Sequence, residues 1–124
     1  MVSFTEPLQS WIAETGIDYG LLTCFCQHTS ASLTIQENTD PAVQHDLIYA
    51  LDNLAPRHKL YAHDAEGPDD MPAHIRTTLT GNTLTIPVQG HQAALGIWQG
   101  VFLIEHRDRP HKRTILLHLA GNKE

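Results

Sequence analysis

Several features that would point directly to a function class are scarce in this sequence. Aromatic residues make up 6% of its 124 positions, and Lys and Arg together number 8 against 14 Asp and Glu, for a net charge of −6. A nucleic-acid-binding protein normally shows the opposite balance, because its cations must neutralise phosphates. We therefore expect no nucleic-acid partner.

Long hydrophobic runs are also missing. No apolar stretch approaches the roughly 18 residues that a membrane span requires. The first residues lack the basic and apolar regions of a secretory signal peptide. We therefore expect a soluble, cytoplasmic protein with no membrane partner.

Cysteine is rare, whereas histidine is abundant. Cys24 and Cys26 stand two residues apart in an apolar run, which places both on one face of a strand in a poor geometry for a disulfide. Their spacing differs from the C-x-x-C of redox and zinc motifs, so we interpret them as reduced, buried packing residues. Nine histidines in a chain rich in acids favour a metal hypothesis, because imidazole is a common metal ligand.

The clearest helix signal lies in the middle of the chain. Asp40 can accept a hydrogen bond as the N-cap, and Pro41 fits the first helical position. Four apolar residues then recur at helical spacing before Pro56, namely Val43, Leu47, Leu51 and Leu54. This pattern predicts a helix over 40–54 whose apolar face packs against a sheet.

The remaining elements are shorter. Thr5 can cap a helix that ends at Gly16, and a third helix runs from Met71 to Gly81. The pattern of apolar residues and the turn residues that bound it predict strands at 20–27, 33–35, 83–88, 96–106 and 113–119. Short polar turns between these strands favour a mostly antiparallel α+β fold, with one long and two short helices in a single domain over 1–124.

Polar residues collect at the ends of these elements, where binding residues tend to lie. They are His28, Thr29, Ser30 and Ser32 after one strand, Glu37 and Asn38 before the long helix, His63 and Asp64 in a loop, and His74 in a first helical turn. Each group also has an ordinary interpretation, such as a strand-edge histidine or a solvated loop. Standard nucleotide-binding and serine-nucleophile motifs do not occur in the sequence.

Two charged clusters admit similar alternatives. Four carboxylates surround Gly67-Pro68, and four basic residues follow the penultimate strand. The carboxylates are either a solvated acidic loop or ligands for Mg²⁺. The basic residues, Arg107, Arg109, Lys112 and Arg113, either decorate an exposed hairpin or contact a phosphate.

Four segments in this order resemble the YjbQ-like family of small bacterial and archaeal proteins: HTSASLTIQEN, DPAVQHDL, HDAEGPDDMPAHI and LGIWQG. The match runs from about Gly20 to Gly121. The resemblance implies a compact, β-sandwich-like α+β domain that assembles as a homotrimer. Family members usually open with a further strand, whereas this chain starts almost at its first helix.

The resemblance also implies a site. Some members carry the name secondary thiamine-phosphate synthase, which means joining an aminopyrimidine diphosphate to a thiazole phosphate with loss of pyrophosphate. The positions that match the site residues of the family pattern are His28, Glu37, Asn38, Asp40, His63, Asp64, Asp70, His74 and Glu105. Gly96, Trp98, Gln99 and Gly100 match a second signature that structural roles explain, namely close backbone approach and a large buried anchor.

The resulting hypothesis is a metal-dependent enzyme acting on a small phosphorylated substrate. We expect His28, His63 and His74 to bind the metal, zinc first and magnesium as the alternative. We expect catalytic or supporting roles for Asp64, Asp70 and Glu105. The residues expected to contact substrate are Thr29, Ser30, Glu37, Asn38 and Asp40. The alternative is a non-catalytic trimeric module that binds a metal, an anion or another small molecule.

Overall fold

Three helices and two antiparallel sheets form the structure, a computed structural model that describes residues 1–123. The helices are α1 (Thr5–Thr15), α2 (Pro41–Leu54) and α3 (Asp70–Thr80). The strands are β1 (Val2–Ser3), β2 (Tyr19–Cys26), β3 (Ala31–Glu37), β4 (Thr83–Gln89), β5 (Gln92–Ala93), β6 (Gln99–Glu105) and β7 (Ile115–Asn122). No helix among these residues is long and apolar enough to cross a membrane.

The strands divide into sheets of three and four. The smaller sheet has the order β1-β6-β3 and the larger the order β5-β4-β2-β7. Every pairing is antiparallel. The sequence therefore predicted the α+β class, the antiparallel sheets and the three helices correctly.

Alternation along β2 places the core between the sheets. Leu22, Cys24 and Cys26 are buried, as expected for the two free cysteines, whereas Leu21 and Phe25 face outward. Residues from β3, β4 and β6 join this core, and α1 adds Leu8 and Ile12. Because successive strand residues point to opposite faces, one apolar face of β2 packs inside the molecule and the other remains exposed.

Local signals set the ends of the helices with one exception. Asp40 accepts a hydrogen bond from Ala42 N–H at 2.9 Å, as its N-cap role predicts. Gly16 ends α1 with a φ of 71°, a conformation that favours glycine. The expectation that Thr5 caps α1 is wrong: Thr5 is the first helical residue, and its hydroxyl accepts from Val101 N–H of β6 at 3.0 Å.

Strand β6 is shorter than the sequence indicated, because residues 97–98 form a turn ahead of it. Gln99 N–H donates to the Gly96 carbonyl at 3.0 Å, and the Gln99 side chain accepts from Gly96 N–H at 2.8 Å. The same region contains β5, a two-residue strand that the sequence analysis did not predict. β1 is likewise a two-residue strand, which pairs with β6 ahead of α1.

The apolar face of α2 is less buried than its pattern suggested. Val43, Leu47 and Leu51 are half-buried, Leu54 is exposed, and no residue of α2 is buried. A groove of about 360 Å³ separates this face from β3, β6 and α3. α2 is held instead at its C-terminal end, where buried Arg76 of α3 donates to the Ala55 carbonyl at 3.1 Å and pairs with Asp52 at 3.0 Å.

The substitution Leu47→Ala should therefore destabilise the protein by only about 1 kcal/mol, because a half-buried side chain loses part of the transfer free energy and leaves no closed cavity. Leu22→Ala, in the core, is the matched control and should cost ~2–5 kcal/mol. Urea unfolding of both variants measures the difference. A cost for Leu47→Ala equal to that for Leu22→Ala would show that the groove is closed in solution.

A buried polar chain connects β3, β6 and α3. The Ser32 hydroxyl lies 2.8 Å from Nε2 of His106, and the Thr80 hydroxyl donates to Ser32 at 2.6 Å. His106 is 3% exposed. Burial, reinforced by the nearby positive charge of Arg76, lowers the pKa of His106 from 6.5 to about 4. The folded protein thus holds this imidazole neutral.

Stability should consequently fall as the pH drops from about 6.5 to about 4. Over this range His106 is protonated in the unfolded chain but not in the folded one. Proton binding therefore favours unfolding and lowers the free energy of unfolding by about 3 kcal/mol in total. Denaturant unfolding at several pH values measures the effect. His106→Gln, which keeps a hydrogen-bonding group, should show a shallower pH dependence, and exposed His111→Ala should match the wild type. Equal slopes in all three proteins would contradict the prediction.

Candidate metal centre

The candidate site is built from the loop between α2 and α3 and the first turns of α3. Asp70 is the first residue of α3, and His74 follows four residues later, so both side chains lie on one face of the helix. His63 reaches the same place because the loop turns back at Gly67, whose φ of 103° favours glycine. The described loop thus brings together residues seven positions apart.

Both imidazoles converge on one carboxylate oxygen. Nε2 of His63 lies 2.6 Å and Nε2 of His74 lies 3.2 Å from Oδ2 of Asp70. The two rings meet edge to face, with centroids 5.3 Å apart. One ligand atom from each of the three residues lies within 4.8 Å of the other two.

These atoms are suitable ligands for a divalent cation. Around a tetrahedral zinc with bonds of 2.0–2.1 Å, neighbouring ligand atoms stand about 3.3 Å apart. The His74–Asp70 separation of 3.2 Å matches this value, whereas the His63–Asp70 separation of 2.6 Å is a hydrogen-bond distance that would have to lengthen around a metal. The same atoms also form an arrangement that needs no metal, because Asp70 can accept a hydrogen bond from each imidazole. The geometry is compatible with both states.

Electrostatics keep Asp70 ionised. Its side chain is 3% exposed, compared with 45% for His63 and 31% for His74. Burial raises the pKa of Asp70, but the hydrogen bond from His63 and the charges of His74 and Arg107 outweigh it, so that the net shift is downward. A carboxylate that stays charged in a buried position can serve as a metal ligand.

Two cavities border this centre. His63 lines a cavity of about 300 Å³ together with Arg57, Lys59 and Tyr61. His74 lines a second cavity of about 340 Å³, whose walls include Thr29 and Asn82. Each imidazole therefore borders a cavity that a small molecule can enter.

The structure brings together only part of the residue set predicted from the sequence. His63, Asp70 and His74 form the centre, Asp64 lines the first cavity, and Thr29 lines the second. His28 lies outside the centre in the single chain, where its Nε2 accepts a hydrogen bond from Thr114 N–H at 2.7 Å. The third candidate ligand beside the two imidazoles is therefore Asp70, where His28 was expected.

Glu105 and Ser30 are bound to Arg113 instead. The Arg113 guanidinium donates to both carboxylate oxygens of Glu105 and to the hydroxyl and carbonyl of Ser30. Burial raises the pKa of Glu105, but the hydrogen bonds from Arg113 and from the Arg107 backbone lower it by more. The net shift of this pKa is therefore downward. In the single chain, Glu105 is therefore an ion-pair partner rather than a free base.

Glu37, Asn38 and Asp40 lie at the other end of β3. The end nearer the metal centre begins at Ala31, and six residues of extended strand span about 20 Å. Asp40 caps α2, Glu37 accepts from Asp40 N–H at 3.3 Å, and Asn38 donates to the Gln99 carbonyl at 3.3 Å. These contacts stabilise the turn into α2.

Arg107 is a residue beside the centre that the sequence did not reveal, because the two interpretations offered for it were an exposed hairpin and a phosphate contact. It contacts Asp69 and Asp70, and its hydrogen bond lowers the pKa of Asp69 to about 2. The only available signal was charge complementarity between the acidic segment 64–70 and the basic segment 107–113.

Comparison with known proteins places the chain in a family. The sequence model of the "UPF0047 protein YjbQ-like" family matches residues 1–122. The chain belongs to this family. It is 48% identical over 120 residues to a UPF0047 protein of Synechocystis, a match that covers 96% of this chain and 82% of the relative. It is 44% identical over 105 residues to the YjbQ protein of Escherichia coli O157:H7, covering 85% and 76%.

Solved structures of family members share the fold. A YjbQ/UPF0047 protein of Clostridium acetobutylicum superimposes with a TM-score of 0.88 at 33% identity, covering 96% of this chain and 89% of that one. A conserved hypothetical protein of Thermus thermophilus gives 0.84 at 35% identity, covering 96% and 90%. A protein of Sulfolobus solfataricus reaches 0.90 at 21% identity, covering 98% and 86%, which supports the fold alone. None of these descriptions assigns an activity.

Proposed function

We propose that this protein binds one divalent metal ion through His63, Asp70 and His74 and acts on a small phosphorylated molecule. The convergence of two imidazole nitrogens on a single buried carboxylate oxygen carries the proposal. Three protein ligands leave a coordination position for substrate or water, as in catalytic zinc sites. Both imidazoles border cavities, so that position is accessible.

Zinc fits this donor set better than magnesium. Magnesium prefers six oxygen ligands, whereas two imidazoles with one carboxylate suit zinc. Asp64 and Glu66 are exposed near His63, and the Glu66 carboxylate lies 3.9 Å from its Nε2. These oxygens would be the additional ligands if magnesium were bound instead.

The residues around the centre supply the remaining chemistry. A bound metal polarises a phosphoryl oxygen or activates a water molecule. Asp64, exposed in the wall of the first cavity, is positioned to accept a proton there. Lys59 supplies positive charge in the same wall and forms no ion pair with residues 1–123. An unpaired ammonium beside a metal ligand favours an anionic substrate.

A thiamine-phosphate synthase reaction is the specific form of this proposal. It would join an aminopyrimidine diphosphate to a thiazole phosphate and release pyrophosphate. The two cavities bordering the centre offer separate places for two substrates, and Lys59 would balance charge on the departing pyrophosphate. The competing function is a non-catalytic module that binds a metal or an anion. The pairing of Glu105 with Arg113 favours it, because this removes one of the expected bases.

Metal analysis tests the ligand set. Protein purified without a histidine tag should contain about one zinc per chain, and His63→Ala, Asp70→Ala and His74→Ala should each lose it because two ligands hold zinc weakly. Elemental mass spectrometry after dialysis against zinc gives the content. The control is His45→Ala, whose side chain is 82% exposed on α2. Full zinc content in all three ligand variants would contradict the centre.

The charge of Lys59 tests the substrate class. Lys59→Met should weaken inhibition by inorganic phosphate and pyrophosphate, and should raise the KM for phosphorylated substrates, by about tenfold each, because one charge-assisted hydrogen bond is lost. The matched control is Lys123→Met near the C-terminus, where the Lys123 side chain lies beside Gly16. Assays use the zinc-loaded protein with the pyrimidine diphosphate and thiazole phosphate pair and with simple phosphate esters. A zinc-loaded protein that turns over none of them but still binds phosphate would favour the binding module.

The outer face of the larger sheet supports the proposed homotrimer. Tyr19, Leu21, Phe25 and Leu116 are 52%, 50%, 39% and 49% exposed, and Phe25 pairs directly with Leu116. The outward positions of β2, β4 and β7 include no Asp, Glu, Lys or Arg. A chain with net charge −6 can self-associate most readily through such an uncharged apolar face. Neighbouring chains could then bring His28 or Glu37 near the centre.

Light scattering tests the assembly. The wild type should have about three times the 13.8 kDa mass of one chain, and Leu21→Lys should reduce this to one chain because it places a charge in the apolar face. Asp46→Lys, on exposed α2, is the control and should leave the mass unchanged. A wild-type protein that is monomeric at micromolar concentration would disprove the trimer.

A further inference from the structure

One arginine connects three points of the loop that carries the metal ligands. Arg107 donates from Nε to Asp69 at 2.9 Å, from Nη1 to Oδ1 of Asp70 at 3.0 Å, and from Nη2 to the Glu66 carbonyl at 3.0 Å. Its side chain is 19% exposed. The planar guanidinium suits this role because its donors diverge in fixed directions.

The backbone around Arg107 fixes its position. Arg107 N–H donates to Glu105 at 3.0 Å, and Asp108 N–H donates to Asp69 at 2.9 Å. Asp108 also pairs with Arg57. Asp69 stands at the N-cap of α3 but makes no capping hydrogen bond, because its carboxylate is bound to Arg107 and Asp108 instead.

The contact with Arg107 gives the two carboxylate oxygens of Asp70 different partners. Oδ1 is bound to Arg107, whereas Oδ2 faces both imidazoles. A carboxylate held in this way offers a cation one oxygen. If Oδ1 were released, the carboxylate could bind through both oxygens, as carboxylates often do with larger cations.

We propose that Arg107 is a positioning residue, which holds Asp70 as a one-oxygen ligand and thereby keeps one coordination position of the metal free for substrate. This inference rests on the metal centre of the proposed function. It assigns a role that neither the resemblance nor the comparisons give to Arg107. The arrangement follows the general pattern in which a neighbouring group orients a ligand and tunes the metal.

A purely structural role for Arg107 would act through Asp69. That contact already joins the segment after β6 to the loop between α2 and α3. The variants must therefore separate the two carboxylates. Arg107→Met removes the contacts with both carboxylates and with the Glu66 carbonyl. Arg107→Lys keeps the charge but replaces the rigid fork of donors with a single ammonium nitrogen. Asp69→Asn weakens the structural contact and leaves the contact with Asp70 in place.

Cobalt titration of the 124-residue chain provides the measurement. Co²⁺ replaces zinc in such sites, and its visible absorption is strong in four-coordinate tetrahedral geometry and weak at higher coordination. The wild type and Asp69→Asn should give the strong spectrum. Arg107→Met and Arg107→Lys should give the weak spectrum, with zinc affinity lowered by about 10- to 100-fold. Circular dichroism verifies that each variant is folded. If Arg107→Met does not fold, Arg107→Lys provides the comparison with the wild type.

The outcomes separate this inference from the proposed function. If a folded Arg107 variant keeps the wild-type cobalt spectrum and zinc affinity, the positioning role is wrong and the metal centre stands. If Asp69→Asn changes the spectrum as much as the Arg107 variants do, Arg107 acts through loop structure and the inference is overturned. If the wild type binds neither cation, the metal centre itself is wrong and the inference with it.

Discussion

The carboxylate of Asp70 is the group on which the candidate site depends. It is buried at the start of α3, and a buried charge is tolerated only when it is paired and hydrogen-bonded. His63 and His74 approach one oxygen and Arg107 the other. Each of these partners belongs to a different segment, so satisfying one charge fixes a loop, a helix turn and the chain after β6 relative to one another.

The sandwich supplies the frame for this arrangement. Pairing of β3 with β6 places Ala31 opposite Glu105. The chain that follows β6 therefore emerges beside α3, which packs against β3 through the hydrogen bond between Thr80 and Ser32. Arg107 reaches Asp70 because this register is fixed, and a shift by one residue would turn the side chains to the other face. The site thus depends on strand register as much as on its own residues.

Two parts of the chain leave apolar surface uncovered. The outward residues of β2 and β7 form an uncharged face, and a groove separates the apolar side of α2 from the smaller sheet. Helical periodicity predicted the second surface to be buried, and this was wrong for a physical reason. Periodicity identifies which face of a helix is apolar, but the depth to which this face packs depends on the neighbouring elements. Here Arg76 holds α2 at its C-terminal end, while the middle of the helix borders the groove.

Local chemistry by itself determined much of this protein. Asp40 and Pro41 start α2, Gly16 and Gly81 end helices, and alternation in β2 fixes its buried face. The proximity of Asp70 and His74 also follows from the sequence, because residues four apart in a helix share a face. Tertiary structure decided the rest: that Asp70 rather than His28 completes the centre in the single chain, that Glu105 pairs with Arg113, and that Arg107 holds Asp70. Those contacts join residues separated by 7, 8 and 37 positions. Periodicity contains no information about such contacts, since they depend on loop closure and strand register.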